Sequence, residues 1–376
     1  MHNLPLSYLE ISEKNLIHNV REFRNYLDKK TLISAVVKGN AYGHGDTEVV
    51  KILSPYVDYF QVNSIEELVR IKKVTKKPIL VFGYVAKDDL EKAIKIGCIL
   101  TVFSKEQLLN ISAIAGSLNK VQEIHLAFDA YLGREGFLEN ELPKVFNLIV
   151  KTKNIKLTGI YAHFANIEDT ADFSHAEKQI KKYQDILKMS RDFGFKNLQT
   201  HISSTAGAMV YEPVGKNNIV RLGIGLYGLW PSKHLENKFA KNINLKPVLT
   251  WKTHIAQIKT LPKNYSIGYG LTFITKKETK IALIPQGYAD GFSRGLSNNG
   301  EVLISGTKCK VLGRVAMNMF VVDVSHLKKV KIEDEVVLLG KQGNREITAE
   351  ELAKKQNTIN YEVVTKINPL LPRVVK

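Results

Sequence analysis

A lysine followed by a glycine-rich turn is the first feature of this sequence that could do chemistry. Lys38 stands in the segment AVVKGNAYGHG (residues 35–45), at the end of an apolar run and ahead of three glycines within seven residues. Partial enclosure by protein removes hydration from an amine, which lowers its pKa and makes it a better nucleophile. Such a lysine can form a Schiff base with a carbonyl compound, although an ordinary loop lysine beside a turn fits the position equally well.

Other polar residues stand at matching places, where later apolar runs end. Arg134, His163 and Arg221 are the charged or ionisable ones, Ser204 and Thr205 carry hydroxyls, and the pair Gly223–Ile224 follows the last of these runs. Singly, each has a plainer explanation, since His163 could be a hydrogen-bonded core histidine and Arg221 could cap a helix. Together they favour one shared site, in which backbone N–H groups near the small residues could bind a phosphate.

The runs that carry these residues indicate a barrel. Continuous apolar strands that alternate with helices are typical of parallel βα units. Eight such units within about 200 residues predict a (β/α)8 barrel whose site lies at the C-terminal ends of the strands. The eight predicted strands are LISAVV (32–37), DYFQV (58–62), PILVF (78–82), CILTV (98–102), EIHLAF (123–128), KLTGIYA (156–162), LQTHIS (198–203) and NIVRL (218–222). Predicted helices cover residues 64–74, 87–96, 104–115, 139–152 and 173–193, with candidate N-caps at Asn63–Ser64, Ser104 and Asp172.

The pattern changes after Pro247. Short strand-like segments separated by glycine-containing turns predict an antiparallel β domain, with one helix-like insert, ITAEELAKKQ. We therefore expect an α/β fold of two domains, a barrel over residues 1–238 and a β domain over residues 239–376.

Composition narrows the functional classes. The net charge is +17, but the lysines occur as scattered pairs and form no dense basic block, so nucleic-acid binding is not indicated. Two cysteines argue against a disulfide framework. Neither a signal peptide nor an apolar run of about 20 residues is apparent, so we expect a cytoplasmic protein without membrane association.

Beyond these features, the chain resembles the alanine racemase family. The segment AVVKGNAYGHG is similar to the cofactor-lysine motif of that family, which other barrel-type pyridoxal-phosphate (PLP) proteins share. The ordered set of further motifs is more specific, and it comprises GIYAHFA, VRLGIGLYG, WKTHIAQIK, IGYGLTF, GYADGF, GRVAMNM and TINYEV. The resemblance implies a PLP-dependent racemase that interconverts L- and D-alanine, supplies D-alanine, and works as a homodimer with active sites shared between subunits.

The resemblance also implies a role for individual residues. Lys38 would hold PLP and act as the base on one face of the substrate, and the partner subunit's Tyr269 would act as the base on the other face. Arg221 would face the pyridine nitrogen and weaken the ring as an electron sink. The remaining matches are Tyr42, His163, Ser204, Thr205, Gly223, Ile224 and Tyr361 for the cofactor, Arg134 and Met317 for the substrate, and Tyr288 for the entrance.

Some positions depart from the family pattern, and they leave alternatives open. Ala127 replaces a lysine, often carbamylated, that usually supports the arginine at 134, so that Arg134 needs an anion or Glu135 as a partner. Asn318 replaces an aspartate and Ala316 a frequent cysteine. Because these changes lie near the substrate, a racemase of broader specificity, or one for serine or a basic amino acid, remains an alternative.

Two weaker alternatives belong to other functional classes. A non-catalytic PLP-binding barrel would usually lack the β domain and the opposing tyrosine. A metal-dependent barrel lyase would need a ligand set in the β domain, where Cys309 and His326 make no recognised pattern.

Overall fold

The computed structural model describes residues 5–211 and 218–376, and the chain divides into two compact units. The barrel unit comprises Leu16–Ala41 and Val49–Lys246, and the sheet unit comprises Met1–Asn15, Tyr42–Glu48 and Pro247–Lys376. This division differs from the sequence-based domains, because two early segments belong to the sheet unit. The domain boundary near residue 238 stays a prediction.

The first strand of the chain, β1 (Tyr8–Ile11), belongs to the sheet unit. The barrel unit contains eight strands within the described ranges, all parallel to their neighbours and paired in the order β8-β7-β6-β5-β4-β3-β2-β9. A parallel bridge between Thr200 and Asn218 links the two edge strands and nearly closes the barrel. The strands are β2 (Leu32–Val36), β3 (Tyr59–Val62), β4 (Ile79–Val81), β5 (Ile99–Val102), β6 (Gln122–Ala127), β7 (Ile155–Tyr161), β8 (Gln199–His201) and β9 (Ile219–Leu222).

These positions confirm the predicted barrel and each of its eight predicted strands. Strands β5 and β9 are buried at every residue, as expected for parallel strands covered on both faces. Helices separate most of the strands, and those of ten or more residues are Glu13–Tyr26, Lys87–Ile96, Lys105–Ser117, Leu142–Lys151 and Ser174–Asp192. Shorter helices are Asp46–Leu53, Ile65–Lys72, Thr205–Val210 and Lys233–Phe239.

Two of the three predicted helix N-caps are confirmed. The hydroxyls of Ser64 and Ser104 accept hydrogen bonds from N–H groups three residues later, which satisfies donors that a helix start leaves unpaired. The prediction for Asp172 is wrong, because Phe173 is the N-cap and Asp172 accepts the N–H of Ser174 from one position earlier.

The sheet unit is mainly antiparallel, as predicted. Its ten-stranded sheet runs in the order β11-β14-β17-β16-β15-β18-β10-β1-β20, with β19 paired to β18, and β12 and β13 form a separate hairpin. The strands are β10 (Leu249–His254), β11 (Gln257–Leu261), β12 (Ser266–Ile267), β13 (Phe273–Ile274), β14 (Thr279–Ile284), β15 (Glu301–Ile304), β16 (Thr307–Leu312), β17 (Phe320–Asp323), β18 (Glu335–Gln342), β19 (Arg345–Ile347) and β20 (Arg373–Val375). Helices Ala349–Gln356 and Asn360–Thr365 complete this unit.

Strand β1 was not foreseen from the sequence. Its four residues pair antiparallel with β10, and three of them also pair parallel with β20, the last strand of the chain. No helix of the described ranges combines the length and the apolar character that crossing a bilayer would require.

Candidate active site

A cavity of about 370 Å³ opens at the C-terminal ends of the barrel strands. It is lined by residues that lie at or just after the C-terminal ends of seven of the eight barrel strands, where a barrel fold places its functional site. They are Lys38, Gln61, Asn63, Phe82, Gly83, Tyr84, Phe103, Arg134, Glu135, Tyr161, His163 and Arg221. The cavity therefore brings together four residues that the sequence singled out, namely Lys38, Arg134, His163 and Arg221.

Lys38 is presented by a left-handed turn. Gly39, Asn40, Ala41 and Tyr42 all have φ between 53° and 63°, so three residues with side chains occupy a region that glycine prefers. Each such residue costs about 1–2 kcal/mol, which the surroundings must offset. The buried carboxylate of Glu67 contributes, because it accepts the N–H of Gly39 at 2.6 Å and that of Asn63 at 2.7 Å.

The surroundings of Lys38 favour its neutral amine. Desolvation lowers the pKa of Lys38, and the positive charges of Arg134 and Arg221 lower it further. The carboxylates of Glu67 and Glu135 act in the opposite direction without cancelling the effect. A neutral amine is the nucleophilic form, so the lowered pKa favours covalent attachment of Lys38 to a carbonyl compound.

Arg221 is a buried cation that is held by neutral acceptors. Its guanidinium donates to Nδ1 of His163 at 2.7 Å and Nδ1 of His201 at 2.9 Å, and to the carbonyl oxygens of Ala162 and Ile202, each at 3.1 Å. Burial lowers the pKa of Arg221 to about 10, so that it stays charged at neutral pH. Burial first, and then the charge of Arg221, lower the pKa values of His163 and His201, so both imidazoles are neutral.

Aromatic rings complete the environment of Arg221. Its guanidinium carbon lies 5.5 Å from the ring centroid of Phe82 and 5.7 Å from that of Tyr161, within the range of cation–π attraction. Tyr161 also stacks on His201, with ring centroids 5.0 Å apart. Planar groups thus form one wall of the cavity.

Two buried polar atoms of the cavity residues lack a hydrogen bond of good geometry among the described residues. They are Oε1 of Gln61 and the hydroxyl of Tyr161, and both residues are almost fully buried. An unpaired buried polar atom costs about 1–3 kcal/mol, so these atoms call for a hydrogen-bonding ligand. Together with Lys38 and the fixed N–H donors of Arg221, they suit a planar, polar aldehyde cofactor such as PLP.

Arg134 pairs with the next residue in the chain. Its Nη2 donates to Oε1 of Glu135 at 2.8 Å, and its Nε donates to the other carboxylate oxygen. This fork raises the pKa of Arg134, mainly through the hydrogen bond. Burial raises the pKa of Glu135, but the hydrogen bond and charge of Arg134 outweigh burial and leave it lowered. Glu135, one of the two candidates from the sequence, is therefore the residue that supports Arg134.

The predicted phosphate residues of the barrel unit lie at the ends of β8 and β9. The hydroxyl of Thr205 accepts the N–H of Gly223 at 3.0 Å and that of Gly225 at 3.4 Å, which joins the two loops. Ser204 is the N-cap of the short helix that Thr205 begins, and Ile224 begins a 3-10 turn.

The remaining predicted residues lie in the sheet unit. The rings of Tyr42 and Tyr361 are neighbours, with centroids 6.1 Å apart. The segments that carry Tyr288 and Met317 are neighbours, since the N–H of Tyr288 donates to the carbonyl oxygen of Ala316 at 3.1 Å and that of Ala289 to the carbonyl oxygen of Met317 at 3.0 Å. Tyr269 exposes 73% of its surface, between two glycines in left-handed conformation.

Sequence reasoning missed several residues of the site and its support. Gln61, Asn63 and Tyr161 line the cavity, and His201 and His125 lie behind Arg221. A signal was present, because Gln61, His125 and His201 are polar residues within predicted parallel strands, which are covered on both faces and where an unpaired polar group is costly.

Cys309 and His326, considered above as metal ligands, are also neighbours. The sulfur of Cys309 lies 3.8 Å from Nε2 of His326, and burial raises the pKa of the thiol to about 12. The described residues contain no group of three or more side chains suited to bind a metal ion.

Comparison with known proteins gives matches over nearly the whole chain. Residues 11–231 match the family described as "Alanine racemase, N-terminal domain", and residues 248–375 match its C-terminal domain. A curated alanine racemase of Methanococcus maripaludis is 38% identical over 370 residues, covering 98% of each chain. One of Leptospira interrogans serovar Lai is 35% identical, covering 98% of this chain and 95% of the relative.

Solved structures agree with the sequence comparisons. The alanine racemase of Clostridium difficile 630 superposes with a TM-score of 0.92 at 34% identity, covering 99% of this chain and 96% of the other. The alanine racemase from D-cycloserine-producing Streptomyces lavendulae gives a TM-score of 0.93 at 29% identity, covering 100% and 98%.

Proposed function

The chain belongs to the alanine racemase family, and from that membership we propose that it interconverts L- and D-alanine with PLP as its cofactor. The observation that carries the proposal is the cavity in which Lys38, with a lowered pKa, faces the buried cation Arg221. Lys38 would attach the cofactor, while Tyr42, Ser204, Thr205, Gly223, Ile224 and Tyr361 would hold its phosphate. When bound, PLP supplies the electron-withdrawing ring that acidifies the Cα–H bond of an amino acid.

Arg221 would orient and tune that ring. A guanidinium offers only N–H donors and cannot accept a proton. Because its four acceptors are neutral, Arg221 keeps a full positive charge beside the cavity, where it would donate to the pyridine nitrogen and oppose its protonation. With that nitrogen unprotonated, the ring would be a weaker electron sink, which would favour prompt return of the proton over side reactions.

Racemisation needs a second base on the opposite face of Cα, and we assign this role to the partner subunit's Tyr269. In one chain Tyr269 is largely exposed, and Leu271, Ile274, Met317 and Met319 of the same unit also expose about half or more of their surface. Exposed apolar side chains of this kind favour burial against another protein surface. A second copy of this chain would cover them and deliver Tyr269, so we propose a homodimer with shared sites.

Subunit complementation tests the shared site. Lys38→Ala and Tyr269→Phe should each abolish or strongly reduce racemisation, although Tyr269→Phe should still bind PLP and show its absorbance. If Tyr269 acts across the interface, mixed dimers of the two variants contain one intact site. Random subunit exchange should then restore about one quarter of the wild-type sites.

Failure to recover activity, despite proven subunit exchange, would place both bases in one chain. Tyr265→Phe is the matched control, since Tyr265 is another exposed tyrosine of the same unit and should be dispensable.

A broader substrate range is the second candidate. Asn63, Gln61 and Glu135 line the cavity and could accept hydrogen bonds from a hydroxyl or ammonium side chain. Ala127 and Asn318 replace charged residues that relatives of this type often carry near the substrate. A polar substrate such as serine or lysine is therefore a specific competitor of alanine.

A chirally resolved assay tests the reaction and its substrate together. Purified, PLP-loaded protein would be incubated separately with L-alanine, L-serine and L-lysine, and the D-enantiomers quantified. We expect D-alanine to appear fastest. A faster D-serine or D-lysine would transfer the assignment to the second candidate, and no D-product from any substrate would refute racemisation.

A further inference from the structure

We propose that His125 is a positioning residue, which holds His201 in the tautomer whose Nδ1 accepts the hydrogen bond from Arg221. Through His201 it fixes the direction of the Arg221 guanidinium from the interior of the barrel. Only the expected effect of the guanidinium direction on catalysis rests on the proposed function.

The hydrogen bonds form a continuous chain behind the cavity. Nη1 of Arg221 lies 2.9 Å from Nδ1 of His201, and Nε2 of His201 lies 2.8 Å from Nδ1 of His125. All three side chains are buried, with at most 4% of their surface exposed. Water therefore cannot reach these side chains to replace a hydrogen-bond partner that is lost.

The order of donors and acceptors follows from Arg221. Because a guanidinium has only N–H groups, Nδ1 of His201 must be the acceptor, and the proton of a neutral imidazole then lies on Nε2. That Nε2–H needs its own acceptor, which Nδ1 of His125 provides. Burial lowers the pKa of His125 to about 3, so both rings are neutral and each can play only one role at each nitrogen.

The backbone places His125 for this contact. The pairing of β6 with β7 shifts register between Ile124 and His125, which sets His125 opposite Gly159. A Cβ at position 159 would lie 2.6 Å from the imidazole ring, so only glycine leaves room for it. The bulge and the glycine together aim the ring at His201.

The far side of His125 reaches a second polar group. Neither Nε2 of His125 nor Oε1 of Gln199 has a hydrogen bond of good geometry in the described ranges. The two side chains are nevertheless close, and Gln199 offsets part of the lowering of the His125 pKa that burial causes. The amide of Gln199 in turn donates to the hydroxyl of Tyr59, at the start of β3. The polar chain thus leads from the cavity towards the N-terminal ends of the strands.

Loss of His125 would release His201. Without an acceptor for Nε2–H, the other tautomer becomes accessible, and its Nδ1–H would confront the N–H groups of Arg221. Among the described residues the hydrogen-bond partners of Arg221 are imidazole and carbonyl acceptors, and the nearby carboxylate of Glu135 is already paired with Arg134. The guanidinium would then turn away from the direction that the cavity requires.

The first experiment needs no cofactor and no activity. Imidazole 15N spectra of the PLP-free protein should show His201 protonated at Nε2 and unprotonated at Nδ1. His125→Asn should preserve this state, because the asparagine oxygen lies where Nδ1 of histidine was, whereas His125→Gln should lose it, because the glutamine amide matches Nε2. An unchanged His201 spectrum in His125→Gln would overturn the proposal, whatever reaction the protein catalyses.

The second experiment measures the loaded enzyme. His125→Gln should lower kcat roughly 10- to 100-fold, the range typical of outer partners of an active-site group, with little change in KM. It should also raise the fraction of turnovers lost to transamination, because Arg221 no longer opposes protonation of the pyridine nitrogen. His125→Asn should restore most of kcat.

Leu126→Ala is the matched control for a defect in the same buried strand, since Leu126 is fully buried but takes no part in the polar chain. If this variant lowers kcat and raises transamination as much as His125→Gln does, the role of His125 is merely structural. Equal activity of the asparagine and glutamine variants would also refute the proposal.

Discussion

At the scale of residues, burial lowers the pKa of Lys38, and the charges around its amine adjust that pKa further. Arg134 and Arg221 share the cavity with Lys38, and Glu135 offsets part of their charge. Glu135 has two effects, because it orients Arg134 through a forked ion pair and also raises the pKa of Lys38. A side chain adjacent in sequence to the proposed substrate-binding residue thus tunes the pKa of the lysine that is proposed to bind the cofactor.

Removing the charge of Arg134 and removing the charge of Glu135 should shift the pKa of Lys38 in opposite directions. Arg134→Gln removes the charge that lowers the pKa of Lys38 most, so this pKa should rise and PLP capture at neutral pH should slow. Glu135→Gln removes a carboxylate that raises it, so the pKa of Lys38 should fall. Titration of the isotopically labelled amine in the PLP-free protein measures both, and shifts of the same sign would contradict the prediction.

At the scale of elements, the left-handed turn after β2 is the feature on which the site depends. The residue that follows it, Gly43, has φ of +83°, and a Cβ there would lie 2.0 Å from the carbonyl oxygen of Val364. Arg373 donates to the carbonyl oxygen of Gly43 at 2.8 Å, and also to those of Asn368 and Leu371. The end of the chain therefore holds the loop in which the turn ends.

Gly43→Ala should destabilise the protein more than a left-handed glycine alone explains. The conformation costs about 1–2 kcal/mol, and the collision with Val364 adds the cost of moving backbone. Gly306→Ala is the control, since Gly306 has φ of +70° but its Cβ would meet only Gln342, at an ordinary 3.5 Å. Urea unfolding compares the two, and equal losses of unfolding free energy would show that the close approach is unimportant.

At the scale of the whole molecule, the barrel holds three neutral histidines around one arginine, of which His125 and His201 are buried and His163 is half-buried. The pKa values of His125, His163 and His201 are all lowered, with burial as the largest cause. As the pH is lowered, these histidines therefore take up protons at a higher pH in the unfolded chain than in the folded protein. Stability from this source is complete above the ordinary histidine pKa near ~6.5 and falls as pH decreases below it.

The free energy of unfolding should therefore fall steeply between pH 6.5 and 5.5, where carboxylates are still ionised. Each proton taken up on unfolding contributes a slope approaching about 1.4 kcal/mol per pH unit. His125→Asn removes one of the three groups and should make the slope shallower by up to that amount. Urea titrations at several pH values give the slopes, and identical slopes in wild type and variant would contradict the linkage.

Membership of the alanine racemase family rests on the whole chain, since the two family domains together span residues 11–231 and 248–375. The cytoplasmic location, the homodimer and the supply of D-alanine remain predictions.

The sequence by itself determined the barrel, the antiparallel sheet and the main polar residues of the cavity. Alternating apolar runs and helices are local patterns, and parallel strands bring their C-terminal ends to one face, so Lys38, Arg134, His163 and Arg221 had to gather there. The same locality allowed the N-caps at Ser64 and Ser104 to be read directly.

Only the tertiary structure decided how those residues are held. Strand β1 finds its partners β10 and β20 more than two hundred residues away, and the turn after Lys38 is left-handed at residues that are not glycine. The contact between His125 and His201 depends on a bulge opposite Gly159. The physical reason is that hydrogen bonds require fit within fractions of an ångström between distant segments, which packing sets and a local pattern does not specify.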